Sequence, residues 1–202
     1  MTFAQRQRTA LVSLMRDLGP FAPTKCGQWQ TQDLAAHLYI REHRLDALPG
    51  IGLQRFAGRT ERIQRESLHT LGYPGLLDAV ERPGWIMRPL DRLVNTSELF
   101  IHHEDVLRAN GGSQTLSPEE QQELWPVAVM LARRANSSFK GRVLLTRTDT
   151  GKRLELGRGN RPVHVSGPPS ELVLLLSGRD AEVAVGGEPE AVEAWRSAIS
   201  SL

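Results

Sequence analysis

Asn95, Glu98, His102 and Asp105 follow one another at steps of three, four and three residues. On a helix with 3.6 residues per turn, those steps line the four side chains up along one stripe. A carboxylate one turn before an imidazole can bind a metal ion, exchange a proton or form a simple ion pair. The stripe lies among Leu93, Val94, Leu99, Phe100, Ile101 and Val106, so its polar groups need partners. His103 follows His102 directly, but adjacent helical side chains point about 100° apart and cannot readily serve one centre. The register therefore selects His102. On spacing alone, Glu98 and His102 are equally well read as a surface pair contributing about 0.2–0.5 kcal/mol.

A second source of ligands stands upstream. His37 follows Asp33 by one turn and neighbours Leu34 and Leu38, which turns it toward the interior of a helical bundle. Bundle cores place metal ligands on facing helices. One Glu with two His is an ordinary set for zinc or another divalent transition metal, with a coordination position left open. A buried histidine is also commonly a hydrogen-bonded core residue, and that reading of His37 stays open here. His43 and His69 sit in charged helical surroundings and are expected to be solvated, while His164 faces one side of a strand. The lone cysteine, Cys26, has no flanking basic pair or motif and is read as a buried small residue in preference to a reactive thiol. Trp29, Trp85, Trp125 and Trp195 read as packing residues.

The elements that must position these residues follow from periodicity. Leu11, Leu14, Met15 and Leu18 mark an amphipathic first helix ending at Gly19-Pro20. Thr31 is expected to cap the second helix, with Asp33 in its first turn and residues 48–52 closing it. A polar helix is expected from Leu53 to about Leu71, followed by Gly72-Tyr-Pro-Gly75 and a short helix. Pro89 opens a long helix through Leu107. Ser117, Pro118 and Glu120 combine a cap, a first-turn proline and a reciprocal acid, which starts another helix running to about Ala135. Beyond Ser138 the period shortens. Residues 142–157 read as two strands around a turn, Pro162–Gly167 and Glu182–Gly187 as two more, and the segments beginning at Pro169 and Pro189 as helices. The expected fold is mainly α with a smaller α+β part: a helical bundle over residues 1–137 and a small C-terminal domain over 138–202.

Composition sets the context. The 202 residues are 40% hydrophobic with a formal net charge of +2, enough for a sizeable core in a soluble protein. One cysteine permits no intrachain disulfide and makes a reducing cytoplasm the default location. No apolar run is long enough to span a bilayer, and no targeting segment is read at the start of the chain. Basic and acidic residues are interspersed without aromatic interleaving, so the pI near 9.0 gives no reason to invoke nucleic acid. Oligomeric state is not addressed by these patterns. Arginine supplies nearly all of the positive charge, which suggests a GC-rich coding genome.

Three stretches, Cys26–Gly50, Phe56–Gln64 and Asp91–Ala109, together resemble the actinobacterial branch of the mycothiol-dependent maleylpyruvate isomerase family, within the DinB-like metal-binding bundles. The resemblance covers nearly the whole chain and implies a DinB-like four-helix bundle followed by a small C-terminal α/β domain. Its motif, W-x3-D-x3-H followed by E-x3-H, falls on Trp29, Asp33 and His37, then on Glu98 and His102. By that match His37, Glu98 and His102 are the implied ligands of a divalent ion, zinc by expectation. Asp105, farther along the same stripe, is placed to hydrogen-bond His102 or a metal-bound water, although a surface salt bridge is an equal alternative. The implied chemistry is that of an isomerase or thiol transferase, with mycothiol as thiol cosubstrate and a small electrophile as partner. The other reading is a protein that binds a metal or small molecule at the same open site without turnover.

Overall fold

Thr2 starts the first helix, α1 (Phe3–Leu18), by a reciprocal exchange: its hydroxyl accepts the Gln5 N–H at 3.2 Å, and the Gln5 side chain accepts the Thr2 N–H at 2.8 Å. Leu11, Val12 and Met15 form its buried face, and Gly19 ends it with φ of 81°. The second helix, α2 (Thr31–His43), is capped one residue earlier than expected. Asp33 Oδ2 accepts the Gln30 N–H at 2.9 Å, which leaves the Thr31 hydroxyl free to donate to the Gly19 carbonyl across the loop. Next come α3 (Ala57–Glu81), broken at Gly72 where φ is 64°, and α4 (Arg92–Ala109). Gly72 is the residue that can take this left-handed turn without a Cβ clash, so the expected longer and shorter helices are joined across it.

The computed structural model describes residues 1–44, 57–82, 92–139 and 141–200. The expected closure of α2 at 48–52, the start of α3 at Leu53, Trp85, and Pro89 as a first-turn proline all lie outside these. Helices α1 to α4 form the first of two units, Met1–Gln114, with α2 against α3 and α1 against α3 and α4. Its core joins Leu11, Val12 and Met15 to Leu34, Leu38, Leu76, Leu77, Val80 and Val106.

The second unit, Thr115–Leu202, begins with α5 (Pro118–Phe139). The Ser117 hydroxyl accepts the Glu120 N–H at 3.3 Å and the Glu120 carboxylate accepts the Ser117 N–H at 3.0 Å, the start signal expected there. Strands β1 (Val143–Arg147), β2 (Arg153–Leu156), β3 (Val163–Gly167) and β4 (Ala184–Gly186) form a sheet in the order β2-β1-β3-β4. Strands β1 and β3 run parallel, and both outer pairs are antiparallel. Helices α6 (Pro169–Leu176) and α7 (Pro189–Ser200) complete the unit. Packing divides the chain before α5, where the sequence reading divides it after residue 137. The reason is the apolar face of α5, with Leu124, Trp125, Val127, Ala128, Ala132 and Ala135 buried, which packs against α6 and α7. Within this unit the buried Arg147 guanidinium lies over the Trp125 ring at 5.5 Å and donates to Asp149 at 2.7 Å and to Gln122 at 2.6 Å. No described helix is long and apolar enough to cross a membrane.

One buried ion pair ties the first unit together. Arg8 of α1 meets Glu42 of α2 through two hydrogen bonds of 2.9 and 2.7 Å and donates a third, of 2.6 Å, to the Val80 carbonyl of α3. Three helices share this one guanidinium. Arg8→Met leaves the buried Glu42 carboxylate without its bidentate partner and is expected to lower stability by about 3–5 kcal/mol, whereas Arg8→Met combined with Glu42→Leu regains most of that loss. Urea titrations of the two variants check this. An equal loss in both would show that packing, rather than charge pairing, holds these helices.

Candidate metal centre

His37 projects from the middle of α2, and Glu98 and His102 from successive turns of α4. Glu98 Oε2 lies 3.9 Å from His37 Nε2 and 3.6 Å from His102 Nε2. The two imidazoles meet edge to face with centroids 5.5 Å apart, and one ligand atom from each of the three residues falls within 4.8 Å of the others. Ligands at about 2.0–2.2 Å around a tetrahedral ion stand about 3.3–3.6 Å from one another, so small side-chain movements would close this set on a divalent cation. The donors are also the right kind: two imidazole nitrogens and a carboxylate oxygen suit zinc and its first-row neighbours. The Glu98 side chain keeps 31% of its surface exposed, so the set has an open side.

The surroundings hold Glu98 and His37 close to ligand form. Burial alone would raise the Glu98 carboxyl, but hydrogen bonding to His102 and His37 and the charge of Arg41 outweigh it and hold Glu98 well below its ordinary range. Arg41 Nε stands 3.5 Å from Glu98, and Nη1 donates to Asn95 at 3.2 Å. Asn95, the first residue of the stripe, thus braces the arginine. Burial depresses the His37 pKa and favours the neutral ring a metal requires. His102 behaves differently. Burial works against its charge, but bonding to Asp105, Cys26 and Glu98 prevails and raises it well above the usual histidine value.

The far nitrogen of His102 explains much of this. Its Nδ1 lies 3.0 Å from Asp105 Oδ2, an interaction that fixes the ring and turns Nε2 toward Glu98. The same carboxylate oxygen accepts from the Cys26 thiol at 3.0 Å, and the sulfur is 3.5 Å from His102 Nδ1. Cys26 packs half-buried against the core, in line with its reading as a small buried residue, and in addition it touches His102 and Asp105. It lies 76 residues from His102, and no local pattern signals that approach. Trp29 packs partly buried against the core of the first unit, as expected. Its ring lies 5.2 Å from that of His37, and it lines a cleft of about 290 Å³ with Asp33, Ala36, Glu61, Gln64, Arg65 and Leu68. His43, expected in solvent, stacks on Tyr39 at 5.1 Å.

The chain thus combines helices that carry a Glu and two His toward one point with a small α+β unit later in the sequence. The chain is similar to the crystal structure of the mycothiol-dependent maleylpyruvate isomerase, at 18% identity and a TM-score of 0.58 over 92% of this chain and 90% of that one. A histidine-to-alanine mutant of that enzyme matches at 17% identity, with the same TM-score and coverage. At these identities the likeness establishes a shared fold. Neither a protein-family model nor a curated protein matches the chain.

His103 is turned away from the three residues, as the register requires. Its Nδ1 donates to Gln7 Oε1 at 2.7 Å, Gln7 is bonded to Gln114 at 3.0 Å, and Gln114 donates to Glu104 at 2.7 Å. Burial pushes the His103 pKa down to about 4. A histidine kept neutral in the fold stabilises it fully above the unfolded value near 6.5, and that contribution is lost as pH falls toward the folded value. The shift corresponds to roughly 3 kcal/mol between neutral pH and about pH 4. His103→Gln removes the titration, so its stability is expected to fall by roughly 3 kcal/mol less than the parent's over that interval. Denaturant midpoints at the two pH values measure the difference, and parallel pH profiles would show that His103 is not held neutral.

Proposed function

We propose that His37, Glu98 and His102 hold a divalent ion, zinc in the first instance, and that the protein uses it to activate a small thiol toward a small electrophile, as an isomerase or thiol transferase of the mycothiol-dependent maleylpyruvate isomerase family. The observation that carries this reading is the convergence of three ligand atoms from two helices, with one exposed edge at Glu98. The ion, when bound, supplies a positive charge that favours the thiolate, the nucleophilic form of a thiol.

The protein's own groups have distinct roles in this reading. Glu98 is kept ionised by Arg41 and the two imidazoles, so it brings negative charge to the centre without first losing a proton. Asp105 holds the His102 ring in the orientation that aims Nε2 at Glu98. His37 is kept neutral by burial and leans on Trp29. The cleft lined by Trp29, Gln64 and Arg65 offers an apolar wall and polar groups to the remainder of a small ligand. Support for mycothiol as the thiol comes from the fold shared with an enzyme that depends on it.

His37→Ala, Glu98→Ala and His102→Ala are each expected to remove most bound metal from a folded chain, while His103→Ala keeps it. Asp105→Asn weakens binding by roughly 10–100-fold through loss of ring orientation. Metal content per chain, measured on variants with unchanged far-ultraviolet circular dichroism, tests the ligand set. Turnover tests the chemistry: the zinc-loaded protein is incubated with mycothiol and a panel of small electrophiles, and product formation must require both metal and thiol. Metal binding without thiol-dependent turnover would leave a binding protein in place of an enzyme. Full metal content in His102→Ala alongside an empty His103→Ala would overturn the assignment itself.

A further inference from the structure

The His102 imidazole has a second set of potential ligands on its other nitrogen. We propose that Cys26, His102 and Asp105 form an alternative site for soft, thiophilic metal ions, one that competes with the His37–Glu98–His102 set because both need the same ring.

The geometry makes the case. Cys26 Sγ and Asp105 Oδ2 are 3.0 Å apart, Sγ and His102 Nδ1 3.5 Å, and Nδ1 and Oδ2 3.0 Å. A tetrahedral ion with a metal–sulfur bond of about 2.3 Å and metal–nitrogen and metal–oxygen bonds of about 2.0–2.2 Å needs edges of about 3.3–3.6 Å. The triangle is already within about half an ångström of that on every edge. In this structure the same atoms satisfy one another, with the thiol and Nδ1–H both donating to Oδ2.

Cys26 reaches this position on an anchored loop. The Lys25 N–H donates to the Asp105 carbonyl at 3.0 Å, Asn110 to the Pro23 carbonyl at 3.1 Å, the Cys26 N–H to the Thr24 hydroxyl at 3.1 Å, and that hydroxyl to the Trp29 carbonyl at 2.7 Å. The loop is thus tied at both ends to helix α4 and to itself, and little conformational freedom remains to be lost when an ion binds. His102 and Asp105 are buried, while the half-buried sulfur gives an entry path.

Sulfur decides the selectivity. Thiolate is the soft donor, whereas the His37–Glu98–His102 set offers only nitrogen and oxygen, so a thiophilic ion prefers the cysteine side. Binding there sends the protons on Sγ and on His102 Nδ1 to solvent and leaves the ring protonated on Nε2 alone. The ring then presents an N–H to Glu98 where the first set requires a lone pair. One ion excludes the other through the tautomer of one histidine.

Cadmium is the probe. Titration of Cd²⁺ into the metal-free full-length chain is expected to produce a thiolate-to-metal charge-transfer band in the ultraviolet that saturates at a single ion. Cys26→Ser abolishes the band, Asp105→Asn weakens Cd²⁺ binding by about tenfold or more, and His37→Ala retains both band and affinity. Zn²⁺ loaded beforehand is released as the band grows, read with a colorimetric chelator. The proposal is overturned if no band appears, if Asp105→Asn and His102→Ala bind Cd²⁺ as tightly as the parent, which marks a bare thiol adduct, or if His37→Ala abolishes binding. Zn²⁺ binding by Cys26→Ser reports on the first set alone, so its loss there would count against the proposed function and leave the cadmium result to stand separately.

Discussion

One carboxylate oxygen organises the candidate centre of the first unit. Asp105 Oδ2 receives the ring nitrogen of His102 and the sulfur of Cys26, each at 3.0 Å, while the backbone carbonyl of the same residue takes the Lys25 N–H at 3.0 Å. Asp105 is 1% exposed, and a carboxylate so deeply buried costs several kcal/mol unless its lone pairs are filled. Filling them from two directions fixes the rotation of the imidazole and the position of the loop after α1. Those two constraints decide where the other His102 nitrogen points, and hence whether Glu98 and His37 share a centre with it.

The helical stripe was legible because it depends only on the rise and twist of one helix. Asn95, Glu98, His102 and Asp105 share a face in any α-helix of this sequence, and excluding His103 from that face needs no tertiary information. The inward turn of His37 was legible from its apolar neighbours, and the small α+β unit from the shortening of the hydrophobic period after Ser138. What failed to show was long-range. Cys26 approaches Asp105 because a loop without periodicity is pinned by a backbone bond and by the Thr24 and Asn110 side chains, which together form no recognisable local pattern. The placement of α5 was hidden for a related reason: an apolar stripe records that a helix is buried but not against which unit. Thr31, a good cap by type, yields that place to Gln30 because the Asp33 carboxylate reaches the orphan N–H first.

Both units bury an arginine, with different consequences. Arg8 joins three helices of the first unit through one planar fork, and any change in their relative register costs it at least one of three hydrogen bonds. Arg147 works within a smaller radius, bonded to Asp149 only two residues away and to Gln122 of α5, with its flat face on Trp125. The first arrangement selects among packings of whole helices, and the second selects the orientation of one helix on the edge of a turn. Apolar surface supplies most of the driving force for either unit. These directional contacts make one arrangement of that surface better than its neighbours.

Trp29 stands beside His37, and of the described tryptophans it alone belongs to the first unit; Trp125 and Trp195 are buried in the second. An indole so near an imidazole loses part of its emission when that ring gains positive charge or a paramagnetic ion settles on it. On the proposed reading of the centre, the molecule carries its own fluorophore beside it, and occupancy can be followed in light without a label.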